Sequence, residues 1–303
     1  MDPRNSQPDD LLVRFLLPEA GVRGIGVRLR ETWQRIGGRA EYPPAVAELL
    51  GEAAAAAALF TGHAKVDGRL SVQLRGQHAL RTLFAECTAA GTLRGIAQWD
   101  ESAAPPSRDL RQLGEGAMLA ITIENPALGE REPVRYQGLV ALDSPSLPEA
   151  FEAYFRQSEQ LPTRLLLACD DGVAAGLMLQ KLPGDEGDAD GWSRAGALFD
   201  TLRTDELLAL PSADIVHRLF HEDAPQLLDS RPLSFACSCS RERVAAMLQS
   251  LGREEADAAV LAGDGAAQVR CEFCGERYRF TDADVAGLFA VPEAGFAPPA
   301  RTQ

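Results

Sequence analysis

Cys237-Ser-Cys239 and Cys271-Glu-Phe-Cys274 set the architecture of the C-terminal part of this chain. They carry four of its six cysteines, with 31 residues between the inner members. Two short turns with two thiols each can close around one ion, because zinc takes thiolates at about 2.3 Å in a tetrahedron. Gly275, directly after Cys274, permits the positive φ that doubles the chain back over such an ion. The C-x-C pair is less usual. Extended i and i+2 residues lie near the upper limit of disulfide Cα separation, so ring strain makes Cys271 to Cys274 an easier closure than Cys237 to Cys239. Structural disulfides of a secreted domain are the competing reading, and they need a secretory signal. Met1-Asp2-Pro3-Arg4 runs on into Asn, Gln and Asp with no apolar core. The expectation is therefore a zinc site of four thiolates, Cys237, Cys239, Cys271 and Cys274, in a reducing compartment.

Around these turns a small domain is expected over residues 232–291. Val244, Met247, Leu248 and Leu251 form an i, i+3, i+4, i+7 stripe that stops at Gly252. Val269, Cys271 and Phe273 alternate, as do Tyr278 and Phe280, which predicts a hairpin carrying the second cysteine pair. Thr281-x-x-Asp284 resembles a capping box for a last helix with Val285, Leu288 and Phe289. Residues 292–303, rich in Pro and Ala, are expected to be a disordered tail. A domain this small has a thin core, whereas a structural zinc contributes on the order of 10 to 16 kcal/mol to folding. Losing the ion should unfold it. Arg241, Arg243, Arg270, Arg277 and Arg279 lie close in sequence to the ligands and offset the negative charge of four thiolates.

Upstream, residues 179–231 read as a helical linker region. It opens on the acidic, glycine-rich run Pro183-Gly-Asp-Glu-Gly-Asp-Ala-Asp-Gly191. Short amphipathic helices follow, with Leu198, Phe199 and Leu202, then Ser212 as N-cap before Ile215, Val216, Leu219 and Phe220. Helices below about 12 to 15 residues are marginal in water, so these need neighbours to dock on. Residues 1–178 mix both periodicities and predict an α+β domain. Val46, Leu49, Leu50, Ala53 and Ala57 follow Pro43-Pro44 at helical spacing; Leu70 to Leu74, Met118 to Glu124, Val134 to Leu142 and Leu165 to Cys169 read as strands.

Composition narrows the function classes. The chain has 303 residues, 46% apolar and 24% charged, and a net charge of -14, so no long-range attraction to nucleic acid or anionic lipid is expected. The longest apolar run, Ala53 to Phe60, is short of a bilayer span, so no membrane role is expected. Neither lysine, Lys65 or Lys181, lies in a phosphate-loop pattern. Cys87 and Cys169 sit in apolar runs and read as core residues. His217 and His221, at i, i+4, lack the glutamate of H-E-x-x-H and read as surface or capping residues. Gly21-Val-Arg-Gly24-Ile-Gly26 lacks the full dinucleotide fingerprint and reads as a turn. Two other functions are compatible with paired cysteines. A zinc-ribbon nucleic-acid-binding module would need a basic footprint, but residues 237–279 hold six Arg against seven Asp plus Glu. A thiol-disulfide oxidoreductase is compatible with Cys-x-x-Cys alone, yet thiolates locked on zinc turn over poorly.

The cysteine arrangement also resembles the redox-regulated 33 kDa heat-shock chaperone family of the bacterial cytosol. Further likeness lies in Asp10-Leu-Leu-Val-Arg-Phe15, Tyr42-Pro-Pro-Ala-Val-x-Glu-Leu-Leu50, Tyr154-Phe155-x-x-Ser158-Glu159-Gln160-Leu161-Pro162-Thr163, Gly176-Leu-Met-Leu-Gln-Lys-Leu-Pro183 and Cys271-Glu-Phe-Cys-Gly-x-Arg-Tyr-Arg-Phe280. The resemblance implies a cytoplasmic, ATP-independent holdase for unfolded client proteins, not an enzyme. It implies a reduced form that binds one zinc through Cys237, Cys239, Cys271 and Cys274 and is inactive. Oxidation then implies disulfides Cys237-Cys239 and Cys271-Cys274, zinc release, unfolding of the linker and a dimer.

Overall fold

A computed structural model describes residues 9–64, 66–104, 106–127, 132–184 and 188–290, and divides the chain into two units, Met1–Ala236 and Cys237–Gln303. The expected disordered tail, Lys65 and the centre of the acidic run lie outside the described residues.

The first unit runs β1 (Leu11–Leu17), β2 (Val22–Leu29), α1 (Glu31–Gly37), α2 (Pro44–His63), β3 (Arg69–Arg75), β4 (Leu80–Thr88), β5 (Thr92–Trp99), β6 (Met118–Asn125) and β7 (Val134–Val140). It continues with α3 (Leu147–Tyr154), β8 (Thr163–Cys169), β9 (Ala174–Lys181), α4 (Gly191–Phe199), α5 (Thr204–Ala209), α6 (Ser212–Phe220), β10 (Gln226–Pro232) and β11 (Ser234–Phe235). The strands form a five-stranded sheet, β10-β1-β2-β9-β8, and a six-stranded sheet, β11-β5-β4-β3-β6-β7. All neighbours are antiparallel except β11 and β5. This is the α+β arrangement expected of the N-terminal part.

Helix α2 packs on both sheets. Pro43 and Pro44 start it, since a proline at the first helical positions gives up an N–H that has no helical partner. From Gly51 to Thr61 it is buried on every side, which the small alanines allow. It is also long and apolar enough to cross a bilayer, with a mean hydropathy of 1.4, a property that counting the run Ala53 to Phe60 misses. Burial explains that composition, because 78% of the stretch lies inside the unit.

The five-stranded sheet is covered on both faces. Leu59 of α2 lies against Gly176 on one face, while Phe15, Leu17, Leu177 and Leu179 join Phe199, Leu207, Ile215, Val216 and Phe220 of α4 to α6 in one cluster on the other. The rings of Phe15 and Phe220 stack at 6.1 Å. None of these three helices reaches ten residues, so each depends on this docking. The ion pair Arg218–Glu206 (2.6 Å) ties α6 to α5, Arg194–Asp223 (2.6 Å) ties α4 to the turn that follows α6, and Arg28 of β2 donates to the Leu208 carbonyl at 3.1 Å.

Several expectations need correction here. Residues 22–26 are not a turn but the start of β2. The Phe15 ring lies where a Cβ on Gly24 would stand, at 2.0 Å, and Ser212 closes on Gly26 in the same way, at 2.7 Å, so these glycines serve close packing. That packing also explains why Ser212 is buried as the first residue of α6, with Pro211 as N-cap and no side-chain cap. The segment 179–231 is not wholly helical: it holds the end of β9 and most of β10, which pairs with β1. The units part after Ala236 rather than before residue 232, because Ser234 and Phe235 pair with β5. In the described flank of the acidic run, Asp188 and Asp190 pair with Arg194.

The second unit holds α7 (Arg241–Leu251), α8 (Arg253–Ala262), β12 (Ala266–Arg270), β13 (Arg277–Thr281) and α9 (Asp282–Leu288). Its core is Val244, Leu248, Ala256, Val260, Ala267, Phe280 and Val285, with Tyr278, Leu288 and Phe289 packed against it. Only half of the α7 stripe serves this core, since Met247 and Leu251 are 41% and 56% exposed. The predicted hairpin and the Thr281–Asp284 capping box are both present.

Candidate metal centre

Two local structures bring the four cysteines together. The first turn ends at Ser240, whose hydroxyl accepts from the Arg243 N–H at 3.3 Å and caps α7 immediately after Cys239. Arg243 also donates to the Ser238 carbonyl at 2.8 Å, fixing the residue between the two thiols. The second turn is closed from inside: the Gly275 N–H donates to the Cys271 carbonyl at 2.8 Å and the Cys271 N–H to the Glu276 carbonyl at 2.8 Å. Gly275 takes φ 75°, the left-handed value its position predicted. Arg241 joins the start of α7 to the hairpin, donating to the Arg279 carbonyl at 2.7 Å, pairing with Asp284 at 3.2 Å and lying 4.2 Å from the Phe280 ring centre.

All four Sγ atoms lie within 4.8 Å of one another. Cys237 and Cys271 are 3.6 Å apart, Cys239 and Cys274 3.2 Å, and all four side chains are half-buried. The edge of a tetrahedron with bonds of about 2.3 Å is about 3.8 Å, so the set fits one four-thiolate ion. The thiols are unequal. Burial raises Cys237, and burial with donation to the neighbouring cysteines pushes Cys274 up to about 12. Burial also acts to raise Cys239, but hydrogen bonds from Tyr278 and the other cysteines outweigh it and bring it down to about 7. Two thiolates this close cannot both ionise without a compensating cation. A divalent ion would supply that charge.

Tyr278 was placed in the hairpin from its alternation with Phe280, but its contact with the site was missed. Its hydroxyl donates to Cys239 Sγ at 3.1 Å. The signal was available: a hydroxyl on the inward stripe of a hairpin four residues after Cys274 needs a partner. Other expected positions stay apart from the cluster. Cys87 is fully buried with its thiol pushed up to about 11 by burial, and burial likewise raises Cys169, which packs against Gly51 of α2. His217 and His221 are both exposed, with ring centres 6.1 Å apart. Among the described residues, the four C-terminal cysteines are the group placed to hold a metal ion.

Comparison with known proteins agrees with this layout. The family model described as Hsp33 protein matches residues 10–281, a span that includes all four cysteines. The 33 kDa chaperonin of Ectopseudomonas mendocina is 43% identical over 300 residues, covering 97% of this chain and 99% of the relative. That of Chromobacterium violaceum is 41% identical over 298 residues, covering 98% and 99%. The crystal structure of the 33 kDa chaperonin from Thermotoga maritima has the same fold, with TM-score 0.74 at 21% identity over 93% of this chain and 98% of that one. With a family model spanning most of its length and relatives above 40% identity, the chain belongs to the Hsp33 protein family.

Proposed function

We propose that this protein is a redox-switched, ATP-independent chaperone that keeps unfolding clients from aggregating. The observation that carries the reading is the cluster of four sulfurs within 4.8 Å, two from each of two turns, in a member of a family whose relatives are named chaperonins. Cys237, Cys239, Cys271 and Cys274 would hold one zinc, which keeps them deprotonated and adds its binding energy to the folding of the second unit. Peroxide is a two-electron oxidant of such thiolates. Closing Cys271-Cys274 and Cys237-Cys239 turns ligands into disulfide sulfurs, which bind metal poorly, so the second unit loses that energy.

The region 179–231 is proposed as the element that then gives way. Its helices are short and depend on docking against Phe15, Leu17, Leu177 and Leu179. Their release would uncover an apolar sheet face of the kind an unfolded chain binds. Association of the oxidised form into a dimer, and a cytoplasmic location, belong to the same reading. An order-disorder segment biased by a chemical event is a workable switch.

The test compares suppression of client aggregation by reduced, zinc-loaded protein with that of protein treated with peroxide under mild heat. Activity should appear only after treatment; equal activity in both states contradicts a switch.

A further inference from the structure

Tyr278 has a role at the metal centre that the four ligands do not account for. It lies in β13 opposite Val269, its ring packs on the core of the second unit, and its hydroxyl donates to Cys239 Sγ at 3.1 Å. Cys239 belongs to the other turn, 39 residues away in sequence. The hydrogen bond therefore ties the C-x-C turn to the hairpin through a sulfur. Groups in the outer shell of a metal site orient a ligand and tune its basicity. A thiolate that accepts an O–H bond carries less free charge, and both its nucleophilicity and its donation to a metal fall with that charge.

We infer, granted the metal centre proposed above, that Tyr278 is a positioning residue that protects Cys239 from oxidation and holds it in place as a ligand. In the step it retards, the Cys239 thiolate attacks peroxide: an S–O bond forms, the O–O bond breaks, and hydroxide leaves. The sulfur, oxidised by two electrons, becomes a sulfenic acid and the peroxide oxygen is reduced. The Cys237 thiolate then attacks that sulfur, an S–S bond forms, and the S–O bond breaks with loss of hydroxide, which takes a proton from solvent to become water. Without the phenol the first attack is faster, and the C-x-C pair becomes easier to oxidise relative to Cys271 and Cys274.

Tyr278→Phe removes the hydroxyl and keeps the ring in the core, so the unit still folds. In full-length protein loaded with Zn(II), differential alkylation and mass spectrometry after timed peroxide exposure should show Cys239 oxidised about tenfold faster, the rate equivalent of about 1.4 kcal/mol. Cys271 and Cys274 should change much less. Zn(II) affinity, by competition with a chromophoric chelator, should fall roughly 10-fold or more, the lost orientation of Cys239 outweighing its stronger donation. With Co(II) in the site, the thiolate-to-metal absorption should shift while the ligand-field bands keep their tetrahedral pattern. Unchanged rates and spectra in a variant that binds one Zn(II) overturn the role of Tyr278. So does equal acceleration at all four cysteines, which marks mere loosening of the fold. Failure of the unsubstituted protein to bind Zn(II) or Co(II) would instead remove the metal centre itself.

Discussion

One residue type meets two fates in this molecule. Cys87 is buried in the large first unit and Cys169, expected in the core, is half-buried there; burial raises both thiols, helped at Cys169 by Glu52 and Asp170, and keeps them protonated. Cys237, Cys239, Cys271 and Cys274 are half-exposed, crowd within 4.8 Å, and stand on a unit whose core is a few small side chains around Phe280. A thiol surrounded by apolar atoms gains nothing from ionising. Thiols that crowd one another ionise together only beside a cation, and a bound cation would add its energy to the fold around them. The contrast teaches that clustered, metal-competent thiols can share a chain with thiols kept protonated, because local surroundings decide the state of each sulfur.

The largest effect should come from removing a ligand. Cys271→Ser, or a strong chelator, should cost the second unit the metal contribution of about 10 to 16 kcal/mol and unfold it, seen as lost NMR dispersion for residues after 236. The first unit should keep its own melting transition. By contrast Cys87→Ala should lower that transition by about 1 to 2 kcal/mol and leave metal content unchanged. Equal metal loss in both variants would abolish the distinction.

The first unit has its own titrating groups, in place of thiols. Burial, with Arg23 and Arg14 nearby, lowers His63 from 6.5 to about 4. The neutral ring is the native form, so stability is full above pH 6.5 and falls as pH drops toward 4. Burial of Glu52, outweighing its Arg108 partner, raises it from 4.5 to about 7, so stability there falls as pH rises from 4.5 to 7. Between pH 4.5 and 6.5 the two slopes oppose, and the unsubstituted protein should show a nearly flat profile. Glu52→Gln should expose the acid-side loss, and His63→Gln the loss toward neutral pH, each about 3 kcal/mol across its window. Denaturant midpoints against pH read both; parallel profiles for the two variants would refute the assignment.

Smaller effects test the scaffold of the metal turns. Arg243→Ala frees the Ser238 carbonyl and should weaken metal binding about fivefold, equivalent to about 1 kcal/mol. Thr281→Ala breaks the capping box of α9 and should lower the stability of the second unit by about 1 kcal/mol, with metal stoichiometry intact. Calorimetric metal titration and thermal melts measure the two.

Much of this was legible in the chain because the signals were local. The C-x-C and C-x-x-C spacing, the Gly275 turn, the capping box and the Pro-started helix each lie within a few residues, and each is found in the fold. What escaped depended on distant packing. The glycines of β2 read as a turn until Phe15 and Ser212 are seen filling their places. Residues 226–232 show no alternation, with Leu227 and Leu228 both exposed, so nothing marked them as a strand. The alternation of Tyr278 with Phe280 signals an inward hydroxyl in need of a partner, but the identity of that partner, Cys239, 39 residues away, follows from the folded unit alone.

Native mass spectrometry of the full-length protein, before and after peroxide with mild heat, tests the central claim most directly. The reduced form should carry one zinc and no disulfide; the treated form should lose the zinc, gain two disulfides among Cys237, Cys239, Cys271 and Cys274, and associate. Retention of zinc through peroxide treatment, or disulfides formed at Cys87 and Cys169 instead, would contradict it.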